Sequence, residues 1–63
     1  MVITQLKIER MEKEIRQRDL AADLGISVPT LADTERGKRI PKKLEREKLI
    51  KIFGKKIAED WGE

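Results

Sequence analysis

Cysteine and histidine are both missing from this chain of 63 residues. Without cysteine there is no disulfide and no thiolate metal site, and without histidine there is no imidazole for proton transfer or for the usual zinc sites. The remaining side chains show no pairing of a nucleophile with a base. We therefore expect no enzymatic activity, no metal, no other cofactor and no small-molecule substrate.

Long apolar runs are missing as well, and aromatic residues make up only 3% of the sequence. The N-terminal stretch MVITQLKIERMEK lacks the apolar centre of a signal peptide, and no segment is apolar enough to span a bilayer. A membrane partner is therefore not expected. A chain of this length forms one domain, 1–63, whose thin core depends on close helix packing.

Charge is plentiful but unevenly placed. Residues 1–35 carry a net charge of −2, residues 36–56 carry +8 and residues 57–63 carry −3. A basic block beside a nearly neutral body suggests a polyanionic partner. A solvated, lysine-rich helix face would explain the block equally well, so charge alone does not decide between the two interpretations.

The alternation of apolar and polar residues that indicates strands is also absent, so the sequence predicts an all-α fold. Thr4 and Ser27 are of the types preferred as N-caps, and Pro29 follows Ser27 in the first turn of a helix. Gly25 and Gly37 fit the left-handed residue that ends a helix. These signals place helices at about 4–13, 17–24, 28–36, 42–53 and 56–61.

Helical spacing also predicts which side chains face the interior. The small side chain of Ala21 permits the second and third helices to cross closely. Trp61 is expected to close the core rather than to dock a partner. The full inward-facing set is Ile3, Leu6, Arg10, Met11, Ile15, Leu20, Ala21, Leu24, Ile26, Leu31, Leu44, Leu49, Ile52, Phe53, Ile57 and Trp61.

The second helix, a short turn with glycine and the third helix have the spacing of a helix-turn-helix. A helix–glycine–helix pair is a weak signal on its own, because many small bundles contain one. The stretch IRQRDLAADLGISVPTLADTERGKR, residues 15–39, is more specific. It resembles the helix-turn-helix family of phage repressors, Cro proteins and their bacterial relatives. The matching residues are Gln17, Leu20, Ala21, Leu24, Gly25, Ile26, Ser27, Thr30, Leu31, Glu35, Arg36, Gly37 and Lys38, with Pro41 and Gly54 bracketing the fourth helix.

This resemblance implies a compact five-helix bundle, the lambda repressor-like DNA-binding domain, whose third helix enters the major groove of duplex DNA. It also implies an ion pair between Arg10 in the first helix and Glu35 at the end of the third. Three departures from the family pattern stand out. Arg16 replaces a small polar cap, Thr34 replaces a large apolar residue, and the fourth helix carries charges within its usual leucine stripe.

The positions that touch bases in the family are Ser27, Val28, Pro29, Ala32 and Asp33 here. The short apolar side chains of Val28 and Pro29 suit thymine methyl groups, although they also serve simple helix initiation. Asp33 either accepts from the amino group of cytosine or orients an arginine.

Arg18 is the candidate for a guanine contact, because its guanidinium matches two guanine acceptors at once. A phosphate contact is the other interpretation of Arg18. Phosphate contacts are also expected from a larger set of polar and basic residues, because such contacts set the register on the duplex. They are Arg16, Gln17, Thr30, Arg36, Lys38, Arg39, Lys42 and Lys43.

Double-stranded DNA is therefore the expected partner, bound by a monomer or a weak homodimer. The alternative is a protein-interaction module of antitoxin-like or regulatory type. Asn, Tyr, His and Cys are all absent, which is also typical of an engineered or designed member of such a family. For a natural protein the expected location is the cytoplasm, in association with the nucleoid.

Overall fold

A computed structural model describes residues 4–62, and within that range it contains helices and no strand. The elements are α1 (Gln5–Glu12), α2 (Gln17–Leu24), α3 (Val28–Glu35), α4 (Lys43–Phe53) and a 3₁₀ helix (Lys55–Trp61). The predicted all-α fold with five helical elements is confirmed. None of these helices is long and apolar enough to cross a membrane.

The residues predicted to start and stop the helices do so. The hydroxyl oxygen of Thr4 accepts a hydrogen bond from the backbone N–H of Lys7 at 3.2 Å, and that of Ser27 accepts from the N–H of Thr30 at 3.3 Å. Gly25 ends α2 with φ 71° and ψ 30°, the left-handed conformation that glycine adopts without steric cost. The turn between α2 and α3 is thereby kept short.

The core is a single cluster of eight buried apolar side chains, to which every helix contributes. Ile15, Ile26, Ile50 and Trp61 pack around its edge and remain partly exposed. Trp61 therefore packs against the core, as expected. The eight buried residues are Leu6, Leu20, Ala21, Leu24, Leu31, Leu49, Phe53 and Ile57.

Three residues predicted to face inward are exposed instead: Met11 is 60% exposed, Leu44 73% and Ile52 36%. On α4 the inward positions follow a spacing of four residues, from Glu45 through Leu49 to Phe53. Neighbouring positions lie about 100° away around the helix, which turns Leu44 and Ile52 outward. Met11 follows the inward-facing Arg10 and is turned outward in the same way. Ile3, also predicted to face inward, lies outside the described residues.

The last element of the fold closes onto the first. The carboxylate of Asp60 accepts hydrogen bonds from the backbone N–H groups of Gln5 at 2.8 Å and Leu6 at 2.9 Å. These N–H groups begin α1 and have no partner inside the helix. A carboxylate at this end of a helix is also favoured by the helix dipole. The 3₁₀ helix therefore caps α1 from a distance of more than fifty residues along the chain.

Replacing Asp60 with Ala should lower the free energy of unfolding by about 1–2 kcal/mol, the usual cost of losing a carboxylate cap. The matched control is Glu59→Ala, which removes an exposed carboxylate from the same 3₁₀ helix. That control should stay within about 0.5 kcal/mol of the parent. Urea unfolding followed by circular dichroism measures both values, and equal losses would contradict the capping role.

Candidate nucleic-acid interface

The helix-turn-helix is held together by its own apolar residues. Leu20, Ala21 and Leu24 of α2 are buried against Leu31 of α3. The turn is closed by a hydrogen bond of 3.0 Å from the N–H of Ile26 to the carbonyl oxygen of Ala21. Because the inner faces of both helices are fixed in this way, the outer face of α3 is presented as a rigid surface.

The base-contacting residues predicted at the start of α3 and along it lie on this outer face. Ser27, Val28 and Pro29 are exposed, and Ala32 and Asp33 are half-buried. The hydroxyl groups of Ser27 and Thr30 lie 2.8 Å apart and hydrogen-bond to each other at the start of α3. The beginning of α3 therefore offers short, mainly apolar groups and few free hydrogen-bond donors.

Further along the same face, Asp33 and Arg36 form a loose ion pair with a nitrogen–oxygen distance of 3.9 Å. Their side chains are 50% and 63% exposed, so solvent screens the pair and it contributes little to stability. Both expected roles of Asp33, reading cytosine and orienting an arginine, remain predictions. Arg18 is exposed on α2, as either of its expected roles requires.

Arg10 and Glu35 lie against each other, and Gln17 joins them. The Nε of Arg10 donates to Oε2 of Glu35, and its Nη1 donates to the carbonyl oxygen of Ile15 at 2.9 Å. The Nε2 of Gln17 donates to Oε1 of Glu35 at 2.9 Å. The side chain of Glu35 is only 2% exposed. This buried cluster (Arg10, Gln17 and Glu35) ties the end of α3 to α1 and to the start of α2.

Gln17 was expected to contact phosphate, and the cluster changes how it would do so. Its side-chain nitrogen is engaged with Glu35, so the backbone at the start of α2 is the better candidate. Arg16 precedes α2 and makes no side-chain capping bond. The first N–H groups of a helix lack partners within it and attract anions. A phosphate oxygen is the kind of group that would satisfy them.

A second polar cluster was not expected from the sequence. Arg39 donates from Nη1 and Nη2 to the two carboxylate oxygens of Glu45, each at 2.8 Å. Its Nη1 also donates to the hydroxyl oxygen of Thr34 at 2.9 Å, while that hydroxyl donates to the carbonyl oxygen of Thr30 at 3.1 Å. We call Thr34, Arg39 and Glu45 the connection cluster, because it bridges α3, the segment 36–42 and α4.

The connection cluster shifts the protonation of both charged partners. Hydrogen bonding to Arg39 holds the pKa of Glu45 below its ordinary value, and the reciprocal bond raises the pKa of Arg39. Both groups are therefore charged near neutral pH. The sequence signal for this pair was an arginine placed six residues before a glutamate, a spacing that many exposed pairs share.

The other predicted phosphate-contacting residues differ in how freely they reach solvent. Thr30 is half-buried and engaged with Ser27, and Arg39 is engaged with Glu45. The remaining cations are exposed and lie before α2, in the connection 36–42 or at the start of α4. They are Arg16, Arg36, Lys38, Lys42 and Lys43.

A depression of about 260 Å³ lies on the outer side of α4, lined by Lys43, Arg46, Glu47 and Ile50, and it is open to solvent. Within residues 4–62 no group of acidic side chains is arranged to hold a metal ion.

Comparison with known proteins agrees with this geometry. Residues 6–59 match the family model described as helix-turn-helix, which covers the described helices from Leu6 almost to the end of the 3₁₀ helix. Neither the search of curated proteins nor the search of solved structures returned a match.

The buried cluster generates a stability prediction. Arg10→Met keeps the aliphatic stem but leaves the carboxylate of Glu35 buried without its cation. We expect a loss of about 3–5 kcal/mol in the free energy of unfolding. Arg18→Met, an exposed arginine of α2, is the control and should change stability by less than about 0.5 kcal/mol. Urea unfolding measures both, and similar small losses would show that the pair does not hold the bundle together.

The connection cluster predicts how the free energy of unfolding changes at acidic pH. Hydrogen bonding to Arg39 lowers the pKa of Glu45 in the folded protein, so the folded chain binds this proton less readily than the unfolded chain. Its contribution to stability is therefore full above the unfolded pKa and is lost as the pH falls through the folded pKa. Urea unfolding of the parent and Glu45→Gln at a series of acidic pH values should show a stability gap that closes on acidification. A gap independent of pH would contradict this role for Glu45.

Proposed function

The chain belongs to the repressor- and Cro-type helix-turn-helix family of DNA-binding regulators, and we propose that it binds duplex DNA sequence-specifically with α3 in the major groove. One observation carries the proposal. The beginning of α3 exposes Ser27, Val28 and Pro29, while the rest of the helix is fixed by buried contacts and by the cluster at Glu35. A rigid helix that presents its first residues outward matches the way such helices meet base edges.

Phosphate contacts are assigned to the exposed cations on either side of this helix. Arg16 and the first turn of α2 lie on one side in the chain, and Arg36, Lys38, Lys42 and Lys43 follow α3. Such contacts hold the protein in register and supply most of the salt-dependent affinity. They also account for the concentration of positive charge in residues 36–56.

Base selection is assigned to the short side chains of α3. Val28 and Pro29 offer apolar surface, which suits the methyl group of thymine in the major groove. Asp33 accepts from cytosine or positions Arg36, with which it already forms a loose pair. Arg18 contacts guanine or phosphate from α2.

We assign binding to a monomer on one short site or to a weak homodimer on two. Members that dimerise read two half-sites about one helical turn apart, so the arrangement of sites reports the stoichiometry. A bound domain covers the DNA beneath it, so steric occlusion of other proteins is the simplest regulatory outcome.

A protein-interaction module is the second candidate, because two large apolar residues remain exposed beside the basic connection. Ile40 is 66% exposed and Leu44 is 73% exposed. Such residues are common singly on protein surfaces, which makes this candidate the weaker one.

Selection from a randomised duplex library, followed by sequencing, tests the proposal directly. One enriched motif would indicate monomeric reading, and an inverted pair of motifs would indicate a dimer. Absence of any enrichment would overturn sequence-specific DNA binding and would favour the protein-interaction module.

Two substitutions then separate base reading from phosphate contact on the selected duplex. Val28→Ala should lose about 1–3 kcal/mol of discrimination at one base pair, because a single apolar contact is shortened. Lys43→Ala should instead weaken binding to every duplex and reduce the salt slope by about 0.9. Lys51→Ala, which removes an exposed lysine farther along α4, is the matched control. Fluorescence anisotropy titrations measure all three, and identical behaviour of Lys43→Ala and Lys51→Ala would contradict the assigned interface.

A further inference from the structure

We propose that Glu45 is a positioning residue of the DNA interface: it holds Arg39 within the protein, fixes the connection 36–42, and leaves the phosphate contacts to the neighbouring lysines. This inference rests on the proposed function. It also revises the expectation that Arg39 contacts phosphate, because that guanidinium is bound within the protein instead.

α3 packs chiefly against α2, whereas α4 packs against α1 and the 3₁₀ helix. α3 is assigned to read bases, and α4 begins with assigned phosphate contacts. The two helices therefore belong to neighbouring parts of the bundle. The segment 36–42 joins them, and its conformation sets how Lys42 and Lys43 stand relative to α3.

The guanidinium of Arg39 reaches Thr34 on α3 and both carboxylate oxygens of Glu45 on α4, at distances between 2.8 and 2.9 Å. A two-bond arginine–carboxylate pair has a fixed plane and direction, which a single ammonium contact lacks. The connection cluster is therefore a rigid brace between the two helices.

Three of the five N–H groups that an arginine offers are engaged in these bonds, and the side chain of Arg39 is only 24% exposed. Paired with the carboxylate of Glu45, the guanidinium adds no net charge to the surface. Counterion release on DNA binding should therefore come from the exposed cations assigned to phosphate, including Lys38, Lys42 and Lys43, and not from Arg39.

The test compares variants by the salt dependence of binding to one fluorescent duplex taken from the selection. The double variant Arg39→Met, Glu45→Gln removes the brace and leaves the net charge unchanged. The matched control, Lys38→Met, removes one exposed cation from the same connection. Fluorescence anisotropy at four salt concentrations gives the affinity and the slope of log affinity against log salt for each protein. Circular dichroism first establishes that each variant is folded.

We expect the double variant to show an unchanged slope and about tenfold weaker binding at every salt concentration. The weaker binding reflects the free-energy cost of ordering about one freed residue when the protein binds. The control should reduce the slope by about 0.9. A reduction of the slope in the double variant by the same amount would make Arg39 a phosphate ligand and overturn the proposal. A double variant that binds like the parent at every salt concentration would overturn it as well.

Arg39→Lys serves if the double variant does not fold, since it keeps the charge pair and loses the two-bond geometry. It should also bind more weakly with an unchanged slope, and binding equal to the parent would overturn the positioning role. Failure of the proposed function has a different signature: the parent protein itself would show no salt-dependent binding to any duplex.

Discussion

Glu35 is the residue on which the arrangement of the first three helices depends. Its carboxylate accepts from Arg10 of α1 and from Gln17 of α2. Its carbonyl oxygen accepts from the hydroxyl of Thr4 at 2.7 Å. One buried residue at the end of α3 thus fixes the direction of that helix against both of its predecessors. A carboxylate is expensive to bury, and its hydrogen-bonding partners offset that cost.

Each of the two polar clusters orients a different part of the proposed DNA-binding surface. The cluster at Glu35 holds the base-reading helix α3 against α1 and α2, and the connection cluster links α3 to the beginning of α4. The apolar core is small, since its cluster among residues 4–62 contains eight buried side chains, and the hydrogen bonds of the two polar clusters supplement its packing. Hydrogen bonds depend on the relative orientation of the groups that form them, whereas apolar contacts do not.

Most of the fold could be predicted because its signals are local. Thr4 and Ser27 cap the helices they precede, and Gly25 ends α2 through a conformation that few other residues adopt. The inward side of α4 was predicted less well: Leu44 looks like a core residue by type, yet Glu45 is buried in its place. Burial of a glutamate depends on a partner from elsewhere in the chain, which helical periodicity does not reveal.

The sequence by itself determined the helical class, the helix boundaries, the helix-turn-helix and the excess of positive charge after α3. These features follow from local backbone preferences, apolar spacing and composition, which do not depend on distant contacts. Only the tertiary structure decided which cations are free for a partner. Arg39 and Lys38 are adjacent in the sequence and carry the same charge, yet Arg39 is held by Glu45 while Lys38 is exposed. The difference arises because packing α4 beside the connection buries a carboxylate within hydrogen-bonding distance of one of them.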